Sequence, residues 1–266
     1  HTQLNNGLHI YVDVKPEFSK SFAFFATNYG GMDMRFQLNG AWHDTPAGVA
    51  HFLEHKMFDT KDGNALQDLA ANGASPNAFT SSAITGYYFE STEKFEENLK
   101  ILLSFVSEPW FTPESVDKEQ GIIGQEIRMI EDDPENQVFY GMMETLYVHN
   151  PIKVSIAGTV ESISHITADT LYACHAAFYN PGNMVLCVAG NVDPERICEI
   201  AREILPGSGQ QLDALHYRLM NVFAGDTRRR VIHRSGSADA TQARFDGVGV
   251  VFQSAHLHDT GVFAIS

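Results

Sequence analysis

Polar and apolar residues alternate in "NGLHIYVDVK" (6–15), which predicts a strand opened by an Asn-Gly turn. "SKSFAFFATNYGG" (19–31) predicts a second strand ending at Gly30-Gly31, and "SPNAFTS" (75–81) and "ITGYYFESTE" (84–93) predict two more. "NMVLCVAGNV" (183–192) is apolar enough to be a buried strand. Helical spacing governs "AGVAHFLEHKMFD" (47–59), "NALQDLAANG" (64–73, with Gly73 as its stop), "FEENLKILLSFVS" (95–107) and "QVFYGMMETLYVHN" (137–150). Three further helices carry start signals. Pro113 and acidic residues open "PESVDKEQGIIGQEIRMIEDD" (113–133), Thr167 caps "TADTLYACHAAFY" (167–179), and Asp193-Pro194 opens "DPERICEIAREIL" (193–205). "RFQLNGAWHDTP" (35–46) reads as loop. Strands and helices come in mixed clusters and not in βαβ alternation, so the expected class is α+β, with a largely antiparallel sheet covered by helices.

After Leu205 the character changes. "PGSGQQ" is linker-like, no Lys follows Lys153 and no Glu follows Glu203. The division is therefore a domain over residues 1–205, then a linker and an incomplete or atypical segment over 206–266, in which "VGVVFQS" is the one strand-like run.

Composition narrows the function. Of 266 residues, 44% are hydrophobic, enough for a packed core. No apolar run reaches the roughly 18 residues of a membrane span. A net charge of -15 argues against nucleic acid and anionic membranes as partners and is compatible with basic or neutral peptides. Cys174, Cys187 and Cys198 match no metal or redox spacing and read as buried reduced thiols of an intracellular protein. Trp42 and Trp110 read as packing residues.

The chemistry lies in the 47–59 run. His51, Glu54 and His55 share one helix face, inside a stretch whose other residues are largely apolar. Three buried polar groups cost free energy unless each has a partner. Two imidazoles one turn apart grip Zn²⁺, and a carboxylate beside them can take a proton from water; H-x-x-E-H is the inverted zinc-protease motif. Zinc in a hydrolase needs a third protein ligand. The helix over 113–133 offers Glu119 and Glu126, two turns apart on one face, although Glu126 beside Arg128 also reads as an ordinary surface residue. Eight further histidines (His43, His149, His165, His175, His216, His233, His256 and His258) have no partner at i+4 and read as surface or hydrogen-bonded residues.

"GVAHFLEHKMF", "GASPNAFTS", "EQGIIGQEI", "IAGTVESI" and "FYNPGNMVLCVAGNVDP", in this order over residues 1–205, resemble the pitrilysin/insulinase family of zinc peptidases, which is related to the mitochondrial processing peptidases. The "HKMF" and "GIIGQEI" variants are most similar to bacterial cytoplasmic members. The resemblance implies Zn²⁺ as cofactor, with His51, His55 and Glu126 as its ligands and Glu54 as general base. It implies that Glu119 supports the site without touching the metal. It makes "SPNAFTS" an edge strand to which a peptide or small-protein substrate adds, with Asn77, Ala78 and Phe79 as the matching positions. The implied activity is zinc-dependent endopeptidase. The alternative is a non-catalytic peptide-binding or scaffold subunit, which would have no need of all five polar residues; a metal protein of another fold would leave the remaining segments unexplained.

Family members are built from two similar halves that close as a clamshell, the second supplying an Arg/Tyr pair for substrate and oxyanion. This chain carries the first half and little that matches the second. The expected partner is therefore a second-half domain, a partner subunit or another copy of the chain.

Overall fold

The computed structural model describes residues 1–38 and 40–205. Residues 206–266, including the linker, the "VGVVFQS" strand and His216, His233, His256 and His258 named above, lie outside the described residues.

In chain order, β1 (Thr2–Gln3), β2 (His9–Val14) and β3 (Ser21–Thr27) precede a hairpin of β4 (Arg35–Leu38) and β5 (Ala41–Asp44). Then come α1 (Val49–Met57), a small ladder of β6 (Asp59–Thr60) and β7 (Gly63–Asn64), α2 (Ala65–Ala71), β8 (Ser75–Thr80) and β9 (Thr85–Ser91). Helices α3 (Phe95–Ser107), α4 (Pro113–Asp132), α5 (Pro134–Leu146), α6 (Val160–Ile163) and α7 (Ala168–Phe178) follow, and β10 (Met184–Gly190) and α8 (Pro194–Ile204) complete the described part. No helix among the described residues is long and apolar enough to cross a membrane.

Six strands form one sheet in the order β1-β2-β10-β3-β9-β8. Every neighbouring pair is antiparallel except β2 with β10, which run parallel. The expected class is thus what the chain adopts. Alternation along the strands gives the sheet two different faces. Ile10, Ala23, Phe25, Tyr87, Phe89, Leu186 and Val188 are buried beneath the helices, whereas Tyr11, Phe22 and Phe79 remain exposed on the other face. Helices α3 and α8 cover the middle of the sheet, α1 covers its β8–β9 end, and α4 packs outside α1. That placement, between sheet edge, α4 and α7, explains why α1 is buried almost all round, its polar side chains included: eight of its nine residues are buried.

The run 35–46, read as loop, is a hairpin instead, with Arg35 opposite Asp44 and Leu38 opposite Ala41. Asn39-Gly40 was the available signal: this dipeptide favours a two-residue hairpin turn, and Gly40 has φ 78°. Both tryptophans also differ from expectation. Trp42 is 52% exposed beneath the Arg35 guanidinium, which lies 5.3 Å from the ring centroid, and Trp110 is 41% exposed. Cys174 and Cys198 are buried, Cys187 is half-buried, and all three are free thiols.

Candidate metal centre

The start of α1 is set by two glycines. Gly48 has φ 93° and Gly158 φ 74°, conformations that L side chains rarely adopt. At Gly48 a Cβ would lie 2.5 Å from the Ala157 carbonyl oxygen, and at Gly158 it would lie 2.5 Å from that of Ala47. Only glycine at both positions lets the 47–48 and 157–158 segments pass so closely. Ser162 Oγ then donates to the Ala47 carbonyl at 2.8 Å. The segment "IAGTVESI" thereby clamps the helix that carries the chemistry.

One turn into α1, His51 and His55 lie edge to face, ring centroids 4.6 Å apart. Glu126 on α4 meets both: its Oε1 is 3.3 Å from His51 Nε2, and its Oε2 is 3.5 Å from His55 Nε2. Among the described residues these three form the one group of at least three His, Cys, Asp or Glu side chains able to hold a metal, with donor atoms all within 4.8 Å of one another. The donors fit zinc. Two nitrogens and a carboxylate oxygen are its usual ligands, and bonds of about 2.0–2.1 Å in a tetrahedron put donors about 3.3 Å apart. The Glu126 side chain is 40% exposed, which leaves the far side of the cluster open to a ligand from solvent. His51 holds the Glu126 carboxyl below its ordinary value by hydrogen bonding, as a metal-ligating carboxylate requires.

Glu119, one α4 face-repeat before Glu126, accepts at Oε1 from His55 Nδ1 at 3.1 Å. That bond leaves the His55 Nε2 lone pair facing Glu126. Burial pulls His55 down, but the Glu119 bond and the carboxylates of Glu54, Glu126 and Glu119 outweigh it, and its net shift is upward. His51 has no equivalent support: its Nδ1 is buried without a hydrogen-bond partner among the described residues.

Glu54 is buried on the same face of α1. Burial raises its carboxyl pKa, and His51, His55 and a hydrogen bond from Thr80 oppose that rise. The Thr80 bond, Oγ1 to Glu54 Oε2 at 3.0 Å, is a contact that sequence reading did not find. The alternation of "SPNAFT" contained the signal, since Pro76, Ala78 and Thr80 share the inward face of β8. Asn77, Ala78 and Phe79 lie on this strand, which pairs with β9 on one side and is the sheet edge on the other. The Ala78 N–H is taken by Asn77 Oδ1 at 2.8 Å, and Phe79 stacks on Phe24 across Gly86.

A second residue that sequence reading missed is Lys56. It is 1% exposed, and its ammonium bonds Asp59 and lies 3.8 Å from Glu119 Oε2.

An antiparallel-dominated sheet under helices, presenting two histidines and a glutamate from two packed helices, defines the class: an α+β half domain with a metal-binding donor set. Residues 39–160 match the insulinase family (peptidase family M16), and residues 165–211 match the peptidase M16 inactive domain. The chain belongs to the insulinase family of M16 peptidases. It is 49% identical over 205 residues to the uncharacterized zinc protease YmfH of Bacillus subtilis, covering 76% of this chain and 48% of that protein. It superposes on a structure described as an M16-like peptidase from Alicyclobacillus acidocaldarius with TM-score 0.76 and 36% identity, covering 86% of this chain and 52% of the other. The first half of the periplasmic protease PqqL from Escherichia coli shares the fold, with TM-score 0.66 and 22% identity over 80% of this chain and 47% of that one. The chain thus spans about half the length of these relatives.

Proposed function

We propose that this chain is the metal-bearing half of a zinc-dependent endopeptidase, with His51, His55 and Glu126 as ligands and Glu54 as general base. The observation that carries the proposal is the convergence of two imidazole nitrogens and one carboxylate at tetrahedral-edge distances, with a second, buried carboxylate on the same helix face. Zn²⁺ held there supplies Lewis acidity, which acidifies water and polarises a peptide carbonyl.

The chain's own groups account for the rest. Glu54 receives the proton from the attacking water and returns it to the leaving amine; its burial raises the carboxyl towards the range where both transfers are favourable. Thr80 occupies Oε2 of Glu54, which leaves Oε1 to take that proton. Glu119 orients His55. The free edge of β8 receives the substrate as an extended strand, with Asn77, Ala78 and Phe79 in contact with it. Because Thr80 ends the same strand, a peptide paired with β8 runs past the base. The substrate is a peptide or small protein able to become extended, and closure over it requires a second half, whether a domain, a subunit or another copy. The three free thiols support a cytoplasmic location.

Zinc content of the chain, and peptide hydrolysis by the chain assembled with its second half, test the assignment together. Glu126→Gln is expected to lose most bound zinc, and Glu54→Gln to keep one zinc per chain while losing about 10²–10⁴-fold in turnover. Full zinc in the Glu126 variant or retained hydrolysis in the Glu54 variant overturns it.

A further inference from the structure

We propose that Lys56 is a positioning residue: its buried ammonium, held between Asp59 and Glu119, pins the Glu119 carboxylate onto His55. This rests on the reading of His55 as a metal ligand.

Lys56 is among the most deeply buried large side chains of the chain, and burying an ammonium is costly unless it is paired. Its pairing leads directly to the metal centre. Nζ bonds Asp59 and lies 3.8 Å from Glu119 Oε2, while the other oxygen of the same carboxylate accepts from His55 Nδ1 at 3.1 Å. Asp59 is itself held from behind. Asn64 Nδ2 donates to its Oδ1 at 3.3 Å across the β6–β7 ladder, and Asn64 is also the N-cap of α2. A line of contacts therefore runs Asn64, Asp59, Lys56, Glu119, His55. Its position at the C-terminal turn of α1 further favours a cation.

A glutamate with one donor can rotate about its side-chain torsions and still satisfy it. With a cation at one oxygen and an imidazole N–H at the other, the Glu119 carboxylate is restrained in plane and distance. Its bond to Nδ1 then holds the His55 ring with Nε2 towards Glu126. Neutralising Asp59 alone would not need Lys56 to approach Glu119.

The test uses the whole chain and compares zinc affinity, by competition with a chromophoric chelator, for Lys56→Met, Glu119→Gln and the double variant. Loss of a ligand's supporting bond weakens metal binding about 10–100-fold. Each single variant is expected in that range, and the double variant no weaker than Glu119→Gln alone, because Lys56 acts through Glu119. Lys56→Arg is expected to restore affinity. Wild-type affinity in Lys56→Met, or losses that multiply in the double variant, would overturn the proposal. A second measurement does not involve zinc. In the metal-free ¹⁵N-labelled chain, the His55 Nδ1–H resonance is expected in wild type and Lys56→Arg and absent in Lys56→Met. That signal decides the role of Lys56 even if zinc does not bind, an outcome that would sink the proposed function alone. Should Lys56→Met not fold, Asp59→Asn serves. With one carboxylate left, Lys56 closes on Glu119, so the His55 signal persists and affinity stays within about twofold; loss of both would make Asp59 its working partner and overturn the proposal.

Discussion

The hydroxyl of Thr80 donates to Glu54 Oε2 at 3.0 Å, tying the last residue of β8 to the middle of α1. The strand proposed to hold substrate and the residue proposed to move its proton are therefore positioned by one hydrogen bond. Hydrogen bonds to charged groups contribute about 1.5–3 kcal/mol. Thr80→Val deletes the donor and leaves the β-branched shape, so the Glu54 carboxyl rises further. The acid limb of the kcat/KM profile is expected to move to higher pH, with activity at low pH reduced about tenfold or more and zinc content unchanged. Thr80→Ser restores the profile. A wild-type acid limb in Thr80→Val would separate Thr80 from the base.

Much of this arrangement was legible in the chain. The helix over 95–107 was read to its observed ends because its apolar spacing is regular. His51, Glu54 and His55 were legible because helical spacing alone puts them together. Glu126 was not: the residues left it open against Glu119 and the surface, and only resemblance separated them, because which turn of α4 meets α1 is a matter of tertiary packing. Thr80 was hidden for the same reason, since its partner is 26 residues away. Lys56 was invisible because a lysine on a helix ordinarily signals a solvated face, and the two carboxylates that let it be buried come from the β6 strand and α4. The 35–44 hairpin was missed for a local reason, the weight given to its polar residues over the Asn-Gly turn.

The glycine at the start of α1 is predicted to matter beyond its turn. Gly48→Ala adds a Cβ 2.5 Å from the Ala157 carbonyl oxygen at φ 93°. The backbone conformation costs about 1–2 kcal/mol, and relieving the clash costs about 1–3 more. Gly40→Ala is the control, with φ 78° but nothing within 4 Å of the added carbon. Urea unfolding is expected to show a loss of about 2–5 kcal/mol at Gly48 against about 1–2 kcal/mol at Gly40, with weakened zinc binding only in the former. Equal losses would show that the close pass between 47–48 and 157–158 does not set the helix start.

Ala78 offers a direct test of the edge strand. Its N–H goes to Asn77 Oδ1 and not to β9, so replacing it costs the sheet no ladder bond. Ala78→Pro removes the donor an added strand would use. Net hydrogen bonds of about 0.5–1.5 kcal/mol translate into a KM about two- to tenfold higher, with zinc content and the Glu54-dependent pH profile unchanged. An unchanged KM would mean that peptides do not pair with β8 at this residue.

His175, far along the chain from the metal centre, should govern the acid stability of the fold. It is 7% exposed, donates from Nε2 to the Val106 carbonyl at 3.0 Å and stacks on Tyr179. Burial pushes its pKa down to about 4, against about 6.5 for an unfolded histidine. Between those values the unfolded chain binds the extra proton and the folded chain does not, so stability rises with pH across the window. The contribution of the neutral ring is complete above about pH 6.5 and is lost as pH falls towards 4, a difference of about 3 kcal/mol at about 1.4 kcal/mol per pH unit. His175→Gln keeps an N–H for the carbonyl and removes the titration. Measured with chelator present, so that bound metal does not contribute, its unfolding free energy is expected to be lower than wild type at pH 7 and to fall less steeply between pH 6.5 and 4. Parallel curves for the two proteins would show that the buried imidazole does not drive the acid loss.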